Sequence, residues 1–223
     1  MLRKTNHTDN NSPNLLKGDT SVVILAGGKS DRMNFPKPFL PYDSKRTFVE
    51  KVVSEYKNFG CKKNILVLNE DLNCSTWNEF LSNLSKETLI VYNRYSDLGR
   101  FYSLQLGIKA LENDDYCFVQ NIDSPFIGSD ILQKLYDSKI NNGYVVPEYE
   151  GKGGHPILIG SDVINSIKEE EDISINLKDK LRQFNRKMVD SGSDKVLINI
   201  NTLEEYQNFF NNDMLHKVLM GVC

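Results

Sequence analysis

Apolar residues along the chain gather into short runs separated by longer amphipathic stretches. Val22–Leu25 is four consecutive aliphatic residues, which leave no polar side for water and predict a strand buried on both faces. Similar runs predict strands over 64–69, 89–92, 116–122, 144–147, 157–159 and 195–200. Between them, Phe48, Val52, Val53 and Tyr56 recur at helical spacing, and Thr47 with Glu50 forms the capping-box pattern that opens such a helix, with Gly60 as its stop. Thr76 with Glu79 and Thr202 with Glu205 repeat the pattern, predicting a short helix through Leu84 and a last one to about Phe210. Further helices are expected over 102–112, over 130–138 behind Gly128-Ser129, from a Ser161 cap to Lys168, and over 173–184. Strand and helix alternate through the first two thirds, which argues one α/β domain over residues 21–210: three layers, α/β/α, around a mostly parallel twisted sheet. Residues 1–20 are polar and Asn-rich, with too little apolar surface to bury, and read either as a flexible N-terminal arm or as a segment packed at a subunit interface. Residues 211–223 form a C-terminal tail with scattered apolar positions.

Composition narrows the classes. At 223 residues the chain can bury one sizeable core. A net charge of −3 offers no broad basic surface for nucleic acid or acidic lipid, so the cations that matter must act locally. Cys61, Cys74, Cys117 and Cys223 fall in no C-x-x-C or zinc-ligand spacing, which suits a reduced compartment. No apolar run is long enough to span a membrane, so a cytoplasmic protein without membrane partners, monomer or homodimer, is expected.

Candidate chemistry begins where the first strand ends. Gly27 and Gly28 lack Cβ atoms, so they can turn sharply, take positive φ and bring backbone N–H groups close to an anion. Lys29, Arg32 and Lys37 follow with positive charge, as a polyphosphate requires. Walker A spacing would need a glycine five residues before Gly28, where Val23 stands. The dinucleotide fingerprint needs three glycines and finds two. A bare Gly-Gly-Lys would also suit an ordinary strand-to-helix turn. Asp123 closes the fourth strand at the sheet edge where open α/β folds bind ligands.

The longer pattern is more specific. Leu25-Ala26-Gly27-Gly28-x-Ser30-x-Arg32-Met33, followed by Pro36-Lys37-x-Phe39-Leu40, resembles the signature of the MobA-like nucleotidyltransferases, and the likeness extends over most of residues 21–210. That family includes the molybdenum cofactor guanylyl- and cytidylyltransferases and, more distantly, the sugar-phosphate and methylerythritol-phosphate nucleotidyltransferases. The resemblance implies a Rossmann-like domain that releases pyrophosphate while transferring a nucleoside monophosphate to a phosphorylated small-molecule acceptor, with molybdopterin as one candidate. Leu25 to Ser30, Arg32 and Lys37 would hold the nucleotide, with Arg32 and Lys37 neutralising the phosphates and Lys29 contributing less. Gly99 and Ser103, in the similar segment Gly-x-x-x-Ser-Leu-x-x-Gly, would lie over the base. Asp123 and Asn201 would hold Mg²⁺, Asn201 standing in Asn199-Ile200-Asn201-Thr202-Leu203-Glu204 where many relatives carry aspartate. Gly154 and His155, in Gly-Gly-His-Pro, would contact the acceptor. Arg100 departs from the small or apolar residue expected at its place. Leu-Ala-Gly-Gly and Asn201 favour GTP, Ser103-Leu104 and Gly-Gly-His-Pro favour CTP, and CTP is expected first. A sugar-phosphate or polyol-phosphate transferase and a catalytically silent nucleotide-binding regulator are the alternatives.

Overall fold

The computed structural model describes residues 18–33 and 35–210, so the expectations for most of the N-terminal arm and for the C-terminal tail lie outside the described residues. In chain order the elements are β1 (Thr20–Ala26), α1 (Phe48–Phe59), β2 (Asn64–Asn69), α2 (Asn78–Leu84), β3 (Leu89–Asn93), α3 (Gly99–Lys109), β4 (Tyr116–Asn121), α4 (Ser129–Asp137), β5 (Gly143–Tyr149), β6 (Lys152–Gly153), β7 (Ile157–Gly160), α5 (Ser161–Lys168), α6 (Leu177–Leu181), β8 (Asn185–Asp190) and α7 (Leu203–Phe209). The sheet order is β3-β2-β1-β4-β7-β5-β6, with β8 paired to β5. β3, β2, β1 and β4 run parallel, β7 is antiparallel to both β4 and β5, and β8 is parallel to β5.

β1 behaves as its composition demands. Side chains alternate across a strand, and Val22, Ile24 and Ala26 enter one core with α1, α4 and α7. Val23 and Leu25 enter the other, with α3 and α5. Helix α1 opens on a complete capping box, in which Thr47 Oγ1 accepts from Glu50 N at 3.4 Å and Thr47 N donates to Glu50 Oε2 at 2.7 Å. Gly60 ends it at φ 93°, a left-handed position that favours glycine.

The second half departs from expectation in several places. The strand expected over 195–200 is a 3₁₀ turn, Asp194–Leu197. Its backbone is used elsewhere: Val196 O accepts from His155 N at 2.9 Å, and Ile200 N donates to Asp123 O at 2.7 Å. The free edge of β5 is taken by β8, Asn-Arg-Lys-Met-Val-Asp, whose exposed polar residues carry no alternation that would announce a strand. The helix expected over 173–184 shrinks to α6, started by Asn176, whose Oδ1 accepts from Lys178 N at 2.8 Å. Thr76 caps nothing: residues 75–77 form a 3₁₀ turn and α2 begins without a side-chain cap. Ser161 is the first residue of α5 rather than its cap. Helix α3 starts at Gly99, earlier than expected. The acidic run 169–172 is partly tied down, with Glu170 accepting from Lys180 Nζ at 2.6 Å. Trp77 packs, its indole stacked on Phe39 at 4.0 Å between centroids.

Candidate active site

Chain connections leave β1 on one side toward β2 and reach β4 on the other. The C-terminal ends of β1 and β4 therefore border the crevice where the winding direction reverses, the place where open α/β sheets bind ligands. A cleft of about 400 Å³ lies there. Leu25 to Gly28, Ser30, Arg32 and Lys37 form its wall after β1, Asp123 closes β4, Gly99 and Ser103 come from the start of α3, and Asn201 comes from the turn before α7. Thus every residue expected at the nucleotide, except Lys29, lines one cleft. Lys29 points elsewhere, its ammonium 2.8 Å from Asp97 Oδ1.

The glycine loop differs in detail from its expected geometry. The left-handed position falls on Ser30, φ 56°, and on neither Gly27 nor Gly28. Ser30 Oγ accepts from Lys37 N at 3.2 Å and Ser30 O from Met33 N at 2.9 Å, so local hydrogen bonds hold this uncommon conformation. Gly27 matters through space instead, because a Cβ there would come within 3.2 Å of Ser103 Oγ. Ser103 is buried, accepts from Asn93 Nδ2 at 2.9 Å and lies 3.4 Å from Gly99 O. Its hydroxyl thus already braces the turn between β3 and α3. Within the same segment, a Cβ at Gly107 would come within 2.4 Å of Val23 Cγ1, so that glycine serves the packing of α3 on β1.

The two expected metal ligands converge. Lys37 Nζ donates to Asn201 Oδ1 at 2.8 Å and stands 3.9 Å from Asp123 Oδ2. Burial holds the Lys37 ammonium below the usual lysine range, against the pull of Asp123. The supporting loops are joined: Ser124 Oγ donates to Asn199 Oδ1 at 2.6 Å, and buried Gln120 donates to Asn121 O at 2.6 Å and Ser124 O at 2.9 Å. Among the described residues no group of three His, Cys, Asp or Glu gathers to hold a metal. Two convergent oxygens fit a hard cation that completes its shell with phosphates and water, which is the habit of Mg²⁺.

A second cavity, of about 840 Å³, meets the first at Gly99 and Arg100. Gly154 and His155 line it, with residues from β5, β7, α6 and β8. Gly154 also has a packing role, since a Cβ there would lie 2.2 Å from Val196 O. The His155 ring meets Asn121 Nδ2 through Nε2 at 3.0 Å. Sequence reasoning missed Asn121, although an amide ending a strand at the binding edge was a readable signal. It missed Arg186 for a different reason, because β8 itself carried no strand pattern.

A glycine loop with cations, an aspartate across the switch point and a second cavity at the same edge make the arrangement of a nucleotide-handling α/β protein. Residues 22–201 match the family model described as MobA-like NTP transferase domain. The chain belongs to that family and is a nucleotidyltransferase. It is similar to a probable molybdenum cofactor guanylyltransferase of Clostridium perfringens (strain 13 / Type A), 29% identical over 84% of this chain and 94% of the relative. It is also similar to the molybdenum cofactor cytidylyltransferase of Escherichia coli (strain K12), 25% identical over 82% and 92%. The fold is shared with the molybdopterin-guanine dinucleotide biosynthesis protein A of Archaeoglobus fulgidus, TM-score 0.63 at 16% identity, covering 88% of this chain and 99% of that one. No helix among the described residues is long and apolar enough to cross a membrane.

Proposed function

We propose that the protein transfers a nucleoside monophosphate from a nucleoside triphosphate, CTP ahead of GTP, to a phosphorylated small molecule, with Mg²⁺ as the metal and molybdopterin among the candidate acceptors. The observation that carries this reading is the convergence of Asp123 and Asn201 on Lys37 in a cleft that opens past Arg100 into a second cavity. An acceptor phosphate oxygen attacks the α-phosphorus, the bond from that phosphorus to the α–β bridging oxygen breaks, and pyrophosphate departs. No protein nucleophile is needed, because a phosphate monoester with a second pKa of about 6 is already an anion at neutral pH. The chain's task is alignment and charge neutralisation. Arg32 can fork across two phosphate oxygens, whereas Lys37 acts as a point charge. Asp123 and Asn201 would hold Mg²⁺, which when bound supplies further positive charge to the phosphates. CTP is placed first on Ser103-Leu104 and Gly-Gly-His-Pro. The guanylyltransferase name of the Clostridium perfringens relative favours GTP as the second reading.

The test is a pyrophosphate-release screen crossing the common triphosphates with phosphorylated metabolites, with and without Mg²⁺. Release is expected only when triphosphate, acceptor and Mg²⁺ are all present, and Asp123→Ala should lower it by about a hundredfold or more. A fully active Asp123→Ala would remove Asp123 from the site's chemistry, and activity with GTP alone would reverse the order of donors.

A further inference from the structure

Arg100 stands on the wall common to both cavities, in the first turn of α3. Lys29 is engaged with Asp97, Lys37 with Asn201 and Asp123, and Arg182 with Asp179 at 2.7 Å, while Arg32 faces the first cavity alone. The Arg100 side chain has no hydrogen-bond or ion-pair partner among the described residues. A guanidinium left unpaired between two ligand cavities is suited to an anion shared by them, and its planar fork matches a phosphate.

The second cavity carries a further signal. Lys178, Arg182 and Arg186 line its α6–β8 side, and among the described residues no aspartate or glutamate lines it. The Arg186 side chain likewise has no hydrogen-bond or ion-pair partner among the described residues. Its guanidinium lies over Gly153, where a Cβ would stand 2.6 Å from Nη2, so the arginine occupies space that a side chain at 153 would take. Apolar walls from Phe101, Tyr144 and Ile157 lie in the same cavity.

We propose that the acceptor is a phosphomonoester with an apolar body and a second anionic group, its reacting phosphate held by Arg100 and its second anion by Arg186 across Gly153. This rests on the nucleotidyl-transfer reading and extends it to the chemistry of the acceptor. Arg100 would place the attacking oxygen, and Arg186 would select among phosphomonoesters.

Calorimetry on the full chain loaded with a non-hydrolysable CTP or GTP analogue and Mg²⁺ tests it. The probes are phenyl phosphate, 4-carboxyphenyl phosphate and the homologues of the latter with one or two methylenes before the carboxylate. At least one carboxylate-bearing probe should bind tenfold or more tighter than phenyl phosphate. Arg186→Ala should erase that preference and leave phenyl phosphate unchanged. Arg100→Ala should weaken every probe tenfold or more while the affinity for the nucleotide analogue stays within about twofold. The proposal is overturned if no probe binds the wild type, if phenyl phosphate binds as well as the others, or if Arg100→Ala chiefly weakens the nucleotide. Failure of the nucleotide analogues themselves to bind, seen before any probe is added, would instead remove the nucleotidyl-transfer reading.

Discussion

His155 shows how tertiary surroundings set the protonation of a single residue. Burial holds its imidazole below the usual value of 6.5, the nearby Arg100 charge acts in the same direction, and Asp123 opposes them. The unfolded chain therefore takes up a proton at a pH where the folded chain does not. Stability should fall as pH drops from 6.5 to the lowered folded value, and the whole loss should be present below it. Urea unfolding at pH 8 and pH 5 would measure this, with His155→Gln losing less stability than the wild type between the two. Equal losses would count against a neutral buried imidazole. At this same scale the sequence was most legible, because glycines, cations and single carboxylates have few alternative uses at such spacing. It was least legible where a residue's partner comes from far along the chain. Lys29, already the weaker of the loop cations, pairs with Asp97, and Gly154, which lines the second cavity as well, packs against Val196.

Helix α7 shows how an element positions the site. Its capping box is complete: Thr202 Oγ1 accepts from Glu205 N at 3.2 Å, and Glu205 Oε2 accepts from Thr202 N at 3.0 Å. The same carboxylate oxygen also accepts from Asn201 N at 2.6 Å, so the cap that starts the helix fixes the residue expected to hold the metal. Thr202→Ala should cost about 1 kcal/mol in urea unfolding, together with a several-fold loss of pyrophosphate release. An unchanged rate would separate the cap from the site. The Thr47 and Thr202 boxes were both readable because a cap is local chemistry. Thr76 met the same pattern and failed, since residues 75–77 are drawn into a tighter turn that seats Trp77 on Phe39. A capping motif names a possible start, and packing decides whether it is used.

At the scale of the whole molecule, stability should grade outward from β1. That strand is hydrogen-bonded on both edges and buried on both faces, whereas β8 is an exposed edge strand held by β5 alone. Native-state hydrogen exchange should find the amides of Val22–Leu25 among the slowest and those of Arg186–Val189 much faster, of order a hundredfold or more. Comparable protection in both would contradict this grading. The grading bears on the proposed function because β8 supplies Arg186 to the second cavity, while β1 and β4 border the first. The amino-acid sequence by itself determined the α/β class, the parallel first half, the glycine loop, Asp123 and the family, since each rests on a local run or a short ordered motif. Tertiary structure decided which edge of β5 was filled and by what, that the 195–200 segment would bond to Asp123 and His155 rather than extend the sheet, and which cations face the ligand cavities. Those outcomes depend on which of several distant segments reaches a shared backbone edge or carboxylate, and no local pattern of residues encodes that competition.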